Sequence, residues 1–162
     1  MGLTNLNLLK NLNMDQDHTK PKPYEYFGDI IIIDSDESDN EMFLQIAEEL
    51  GIKNYLKIFT DGDVAIEHLK STTNKIGLIF CEIYLPKRTG MQLKLEMRDD
   101  DVLRKKSIPF VLISTVVNPS DVETAYLELP VQGLFLKQPT YEKMKNMIDV
   151  ALQYWSTCIH PQ

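Results

Sequence analysis

Short apolar runs alternate with longer segments of helical period along most of the chain. From residue 29 onward the runs are rich in isoleucine, leucine and phenylalanine, a composition typical of β-strands. The spacing between consecutive runs leaves room for a crossover helix and is too long for a tight hairpin. The pattern therefore predicts five β-strands, at residues 30–33, 56–59, 78–81, 110–113 and 134–136.

The segments between the runs carry helix signals of their own. Ser120 and Glu123 form a capping-box pattern directly after Pro119. The clearest helix follows Thr140, a good N-cap residue, because its apolar residues repeat at helical spacing. We interpret these residues as core positions: Met144, Met147, Ile148, Ala151, Leu152 and Trp155. The charged stretch at residues 99–106 is expected to be a solvated connection between a helix and a strand.

Near-continuous apolar strands separated by helices indicate a parallel sheet that is covered on both faces, with right-handed crossovers. We therefore predict an α/β fold, a flavodoxin-like doubly wound (βα)5 domain. Its five-stranded parallel sheet should have the strand order 2-1-3-4-5. In such a fold the functional crevice lies at the carboxyl ends of strands 1 and 3.

The chain of 162 residues is long enough for one domain with a core of its own. We expect residues 1–27 to be a flexible N-terminal tail, residues 28–157 to form the domain, and residues 158–162 to be a short C-terminal end. A short partner-docking helix in the tail is the alternative, although an isolated helix of that length is marginal in water. It would use the leucines that recur at helical spacing, Leu3, Leu6, Leu9 and Leu12.

Composition excludes several classes of protein. The chain has 24 acidic and 17 basic residues, a net charge of −7, which disfavours binding of a nucleic-acid backbone. Its two cysteines form no metal-ligand or redox spacing. No apolar stretch approaches the roughly 20 residues that a membrane helix needs. We therefore expect a cytoplasmic protein with neither a nucleic-acid nor a membrane partner.

Polar residues follow four of the predicted strands at the point where each strand ends. Because the carboxyl ends of parallel strands meet at one edge of a sheet, these side chains should converge on the crevice. Taken singly, each fits an ordinary loop or helix cap. Taken together, they combine carboxylates, hydroxyls and an amine: Asp34, Ser35 and Asp36 after strand 1, Glu82 after strand 3, Ser114 and Thr115 after strand 4, and Lys137 after strand 5.

These motifs resemble those of the receiver domain of two-component response regulators, over about residues 29 to 156. The resemblance rests on five segments that occur in the same order and at similar spacing. They are residues 30–34 (IIIID), 79–87 (IFCEIYLPK) followed by Gly90, 108–114 (IPFVLIS), 118–121 (NPSD) and 133–137 (GLFLK).

The resemblance implies phosphoryl transfer from a histidine kinase to an acid at the end of strand 3, assisted by a divalent cation. It assigns Glu82 to the phosphoacceptor position. It assigns Ser114, Thr115 and Lys137 to the phosphate pocket, which acts as the switch. Asp34, Ser35 and Asp36 take the place of the acidic pocket. The candidate ligands of a magnesium ion are Asp34, Asp36 and Glu82.

The sequence departs from the family pattern at the residues that carry the chemistry. Glu82 stands where the family has aspartate, and the extra methylene displaces its carboxylate by more than about 1 Å, which a near-attack geometry tolerates poorly. The family has two adjacent acids after strand 1, and the second of them binds the metal directly. Ser35 occupies that second position here, and a neutral hydroxyl is a poor ligand for a hard cation. Leu134 replaces an aromatic residue, and Gln138 separates Lys137 from Pro139.

We interpret the chain as a pseudo-receiver, a signalling protein rather than an enzyme, that acts through protein–protein contacts without aspartyl phosphorylation. A pair between Lys137 and Glu82 would imitate the phosphorylated arrangement. No cofactor is expected, and magnesium binding would be weak. The partner would be a sensor histidine kinase or a downstream signalling protein. It would bind the face formed by the helix that follows strand 4, by strand 5 and by the last helix, near residues 122–127 and Phe135.

Other functions stay open at this point. A working receiver could use a shifted metal and phosphate site with Asp34 or Asp36. A flavodoxin-like flavin or nucleotide binder would need a phosphate-binding loop after strand 1, but residues 34–40 are acidic and contain no glycine. A metal hydrolase built on Asp34, Asp36 and Glu82 would lack histidines in register, since these lie in the tail, in a helix and near the C-terminus: His18, His68 and His160.

Overall fold

The fold is built around a parallel β-sheet. The structure is a computed structural model and describes residues 27–160. Within that range the sheet has five strands in the order β2-β1-β3-β4-β5, which confirms the predicted topology. The strands are β1 (Asp29–Ile33), β2 (Leu56–Phe59), β3 (Ile76–Glu82), β4 (Phe110–Ser114) and β5 (Gly133–Leu136).

Helices connect the strands and cover both faces of the sheet. In the described part of the chain they are α1 (Glu37–Glu49), α2 (Gly62–Ser71), α3 (Gly90–Asp99), α4 (Asp101–Lys106), α5 (Pro119–Glu123) and α6 (Tyr141–Thr157). A 3₁₀ turn at Lys53–Tyr55 precedes β2, and a π-helical turn at Thr124–Glu128 extends α5. None of the helices between residues 27 and 160 has both the length and the apolar character needed to cross a membrane.

Two apolar layers hold the helices against the sheet. Residues of β1, β3 and β4 are buried along their whole length, as expected for central strands covered on both faces. Ile30 and Ile32 belong to the layer under α1 and α6. Ile31 and Ile33 belong to the layer under α2 and α3. This alternation explains why the strands read as unbroken apolar runs in the sequence.

Residues 99–106 connect α3 to β4 and their charged side chains are largely exposed, as predicted, but the connection is helical, because α4 occupies Asp101–Lys106. The side chain of Asp100 caps this helix by accepting hydrogen bonds from the N–H groups of Val102 and Leu103, at 2.9 and 3.0 Å. Leu103 is buried in the core, so α4 is held by packing as well as by its cap. Two adjacent apolar residues among charges, Val102 and Leu103, were too weak a signal to predict the helix.

Phe27 opens the described part of the chain and is buried against Gly77. The ring of His160 lies 5.6 Å from that of Phe27, so the two ends of the described chain meet. The predicted tail ends at Phe27, which the structure instead places in the core. The rest of the tail, residues 1–26 with its leucines, lies outside the described residues. The boundaries of tail, domain and C-terminal end therefore stay predictions.

Candidate functional site

The ammonium of Lys137 is the centre of a cluster at the carboxyl ends of the strands. Its Nζ lies 2.6 Å from Oδ2 of Asp34, 2.6 Å from Oδ2 of Asp39 and 2.7 Å from Oε2 of Glu82. The Lys137 side chain is only 8% exposed. Its backbone N–H donates to the carbonyl of Ser114, which continues the β4–β5 pairing and fixes the lysine above the sheet edge. The strand ends therefore converge, and one cation serves three carboxylates.

Glu82 uses both carboxylate oxygens within the protein. Oε2 contacts Lys137, while Oε1 accepts a 2.6 Å hydrogen bond from the hydroxyl of Ser114 and a 3.2 Å bond from the N–H of Tyr84. Glu82 is the last residue of β3 and is buried. Both of its carboxylate oxygens thus have a donor, and the three donors are an ammonium, a hydroxyl and a backbone amide.

The fit of Glu82 depends on the close approach of α3. A Cβ added to Gly90 would lie 2.3 Å from the carbonyl oxygen of Glu82, which no side chain can do without a shift of the backbone. The N–H of Gly90 donates to the carbonyl of Ile83 at 2.8 Å, and Thr89 and Gln92 form a reciprocal capping box at the start of the helix. The glycine therefore lets α3 begin directly against the end of β3.

Asp34 is the most deeply buried acid of the cluster, at 1% exposure. Oδ1 accepts from the N–H of Asp36 at 2.9 Å, Oδ2 faces Lys137, and the backbone carbonyl accepts from Nδ2 of Asn40 at 2.8 Å. Burial raises the pKa of Asp34 above its ordinary value, and the hydrogen bonds from Lys137 and from the Asp36 N–H oppose that shift.

The charge of Lys137 is stabilised by its surroundings. Burial by itself lowers the pKa of Lys137, but the hydrogen bonds to Asp34, Asp39 and Glu82 outweigh this effect and hold the pKa above its ordinary value. The lysine is therefore a permanent ammonium at neutral pH. The cluster is an ion-pair network in which the cation is supplied by the protein itself.

Three of the sequence-predicted residues line the same open pocket, of about 280 Å³, without contacting Lys137. Ser35 and Thr115 are exposed at its rim. Asp36 is the N-cap of α1, and its Oδ1 accepts from the N–H of Asp39 at 3.0 Å. The structure thus gives Asp36 a helix-capping role.

Asp39 and Tyr84 also line the pocket, and the sequence did not indicate them. Asp39 lies in the first turn of α1, which begins beside the end of β1. Its place three residues after the N-cap was the signal that could have identified it, because that position lies at the crevice end of the helix. Tyr84 donates to Oδ2 of Asp121 at 2.5 Å and accepts from Nδ2 of Asn118 at 2.9 Å, which ties the loop after β3 to α5.

The oxygen atoms of the crevice differ in arrangement from the ligands of a divalent cation. Magnesium prefers near-octahedral oxygen ligands, with carboxylates turned toward the metal. Here Asp34 and Glu82 turn their oxygens toward the Lys137 ammonium, Ser35 is neutral, and Asp36 caps a helix. Among residues 27–160 no group of three or more Asp, Glu, His or Cys side chains is arranged to hold a metal. As arranged, these residues do not fit a magnesium ion.

Apolar side chains are exposed on the predicted partner face. Within the described residues, the face includes Val122, Tyr126, Leu127 and Leu136, each at least 41% exposed. Phe135 is half-buried and lines a groove with Met147 and Val150 of α6. The described residues of this face thus combine exposed aliphatic and aromatic groups.

Comparison with known proteins identifies the fold. No protein-family model matches the sequence, and no curated protein was found to be similar to it in sequence. Solved receiver structures match closely in shape. The phosphorylated cyanobacterial phytochrome response regulator RcpA matches with a TM-score of 0.72 and 21% identity, over 83% of this chain and 99% of that one.

Two further matches agree. The Mn²⁺-bound form of response regulator Rcp1 has a TM-score of 0.70 and 24% identity, over 83% of this chain and 99% of its own. The receiver domain of a sensor histidine kinase from Pseudomonas aeruginosa PAO1, with magnesium coordinated in its active site cleft, has a TM-score of 0.65 and 16% identity, over 81% and 98%. The chain therefore has the response-regulator receiver fold, as the sequence motifs predicted.

Proposed function

We propose that the chain is a receiver domain of two-component signalling that works as a pseudo-receiver, through protein–protein contacts and without phosphorylation at position 82. The observation that carries the proposal is the contact set of Glu82. Lys137 Nζ lies 2.7 Å from one of its oxygens, and the Ser114 hydroxyl lies 2.6 Å from the other.

These contacts of Glu82 support the idea that its carboxylate imitates the phosphorylated state of a receiver domain. By the family resemblance, Ser114 and Lys137 are the groups that would bind phosphoryl oxygens. In this chain both bind the carboxylate of Glu82. Glutamate places its negative charge one methylene further from the strand than aspartate does. We infer that the longer acid presents to Ser114 and Lys137 the anion that a phosphoryl group would present, so that the output state is fixed.

The same contacts disfavour Glu82 as a nucleophile. Attack on a phosphoryl donor needs a free carboxylate oxygen in line with the reacting phosphorus, and positive charge to neutralise the transferring group. Both oxygens of Glu82 are already engaged, and the ammonium of Lys137 is shared among three carboxylates. Lys137 supplies the positive charge of the site, so the proposal requires neither magnesium nor another cofactor.

The proposed partner is a sensor histidine kinase or a downstream signalling protein. The face formed by α5, β5 and α6 supports this choice because it exposes several large apolar side chains, and exposed apolar surface of this kind is typical of protein-interaction sites. Tyr126 and Leu127 are 56% and 76% exposed, and Leu136 is 52% exposed at the edge strand β5.

Intact-mass measurement after incubation with acetyl phosphate and magnesium tests the proposal. We expect the wild-type chain to gain no acid-labile phosphoryl group, while a receiver with an aspartate acceptor is modified under the same conditions. A phosphoryl group on the wild type that disappears in Glu82→Gln would overturn the proposal. A phosphoryl group that survives in Glu82→Gln and disappears in Asp34→Asn or Asp36→Asn would support the shifted site instead.

A further inference from the structure

Lys94 is a buried cation that lies outside the crevice. It is in the middle of α3 and only 7% exposed. Among residues 27–160 no carboxylate pairs with its ammonium, and its closest described interaction is with the face of the Phe110 ring, whose centroid lies 5.2 Å from Nζ. An ammonium held among apolar side chains without a carboxylate is unfavourable unless water or an anion reaches it.

Lys94 lines a surface pocket of about 220 Å³ between α3, α4 and the segment before β5. Arg98 and Arg104 line the same pocket and are exposed at its rim. Met97 and Leu103 form an apolar part of its wall. None of the described residues that line the pocket carries a carboxylate, so within the described chain this is a site of three cations on a protein whose net charge is −7.

The two arginines pair with acids that are close to them in sequence. Arg98 pairs with Asp99 and Arg104 pairs with Asp101, and all four side chains are at least 43% exposed. Arg98 donates two hydrogen bonds to Asp99, at 2.8 and 3.2 Å, and Arg104 donates one to Asp101, at 2.6 Å. A guanidinium has five N–H donors, so each arginine keeps donors that can contact a ligand. The amide of Gln132, by contrast, is committed to the N–H of Phe110 and the carbonyl of Pro130.

We propose that this pocket binds a small oxyanion, a phosphate or a carboxylate, with the Lys94 ammonium at its base and the guanidinium groups of Arg98 and Arg104 at its rim. Guanidinium and ammonium groups are the side chains that recognise such anions. Burial lowers the pKa of Lys94 to about 8, so the side chain is still mostly protonated at neutral pH. Among the described residues its ammonium then has no carboxylate as a counter-charge. A bound oxyanion supplies it.

The pocket is independent of the crevice. Phe110, beside Lys94, is the first residue of β4, whereas Ser114, which contacts Glu82, is its last. The strand separates the two sites by roughly 13 Å, at about 3.3 Å per residue. The proposal of oxyanion binding at Lys94 and the proposal that Glu82 is not phosphorylated can therefore be tested, and refuted, independently of each other.

Backbone NMR of the full-length chain, titrated with sodium phosphate at constant ionic strength, tests the inference. We expect saturable shifts of amide signals in α3, α4 and the segment before β5, and an affinity about tenfold weaker in Lys94→Met. Lys105→Met is the matched control, because Lys105 is exposed in α4 and does not line the pocket. It should bind phosphate as the wild type does.

Further measurements define the ligand and guard against misfolding. Acetate titrated in the same way distinguishes the sources: saturation with phosphate alone identifies a phosphate site, and saturation with both identifies a general oxyanion site. Arg98→Gln alters only an exposed side chain and should weaken binding several-fold with the fold intact. Shifts that do not saturate with either anion, or equal binding by wild type, Lys94→Met and Arg98→Gln, would overturn the inference.

Discussion

Lys137 and Glu82 form a direct ion pair across the carboxyl ends of β5 and β3, with Nζ and Oε2 2.7 Å apart. The two strands are not neighbours, because β4 lies between them and contributes Ser114 to the other oxygen of Glu82. The pair therefore bridges three strands. Its side chains are 8% and 9% exposed, which makes it sensitive to the loss of either partner.

Replacing the cation tests the network most directly. Lys137→Met leaves the buried carboxylates of Asp34 and Glu82 without a counter-charge, and we expect a loss of about 3–5 kcal/mol in the free energy of unfolding at pH 7. Urea denaturation followed by Trp155 fluorescence measures it. Lys145→Met, which removes a half-buried partner of the exposed Glu49, is the control and should change stability much less. Equal effects of the two substitutions would contradict the network.

Removing the charge of Glu82 while keeping its size shows how much of its contribution to stability comes from the charge. Glu82→Gln keeps the size of the side chain but weakens the contacts with Lys137 and Ser114, and we expect a loss of about 1.5–3 kcal/mol, the range for hydrogen bonds to charged groups. Ser114→Ala removes one hydrogen bond to the same carboxylate and should cost about 1.5 kcal/mol, the low end of that range, because Lys137 and the N–H of Tyr84 still contact Glu82. A double variant whose loss equals the sum of both would argue against coupling through Glu82.

The burial of Lys94 predicts a pH dependence of stability. Its folded pKa of about 8 lies below the ordinary value of 10.5, so between these values the unfolded chain binds more protons than the folded one. Stability therefore rises with pH over that window, by up to about 3 kcal/mol at 1.36 kcal/mol per pKa unit. Relative to Lys94→Met, the wild type should gain this amount between pH 8 and 10.5. Lys105→Met should show no such difference.

A side chain at position 90 should collide with the end of β3. Gly90→Ala would place a Cβ 2.3 Å from the carbonyl oxygen of Glu82 and 2.9 Å from Sγ of Cys81, so we expect a loss of about 1–3 kcal/mol and a displaced start of α3. Gly133→Ala is the matched control, because the nearest atom to its added Cβ would be 3.8 Å away. Thermal unfolding of both variants checks the prediction, and similar melting temperatures would contradict it.

Much of the fold could be predicted because central strands of a parallel sheet are buried on both faces, so that β1 and β4 stand out as apolar runs. The strand ends then indicated Asp34, Glu82, Ser114 and Lys137. The sequence could not show which oxygens each group would meet. Asp36 is used by the α1 cap, a local hydrogen bond that competes with any role in the crevice.

The residues that were missed depend on contacts distant in sequence. Asp39 reaches Lys137 across 98 positions, and Tyr84 reaches Asp121 across 37. Asp39 lies inside α1, beyond the loop that follows β1, and Tyr84 was interpreted only as part of the motif after strand 3. The helix α4 was missed for the opposite reason, since its cap is local but only one of its residues is buried.

The long separation between Lys137 and its acids has a consequence for synthesis. A ribosome releases Asp34, Asp39 and Glu82 well before Lys137, which follows the edge strand β5. Until that residue emerges, three carboxylates that must be packed together have no counter-charge and repel one another. We therefore expect nascent chains that end before residue 137 to lack a packed arrangement of these carboxylates. The ion-pair network with Lys137 should form among the last events of folding.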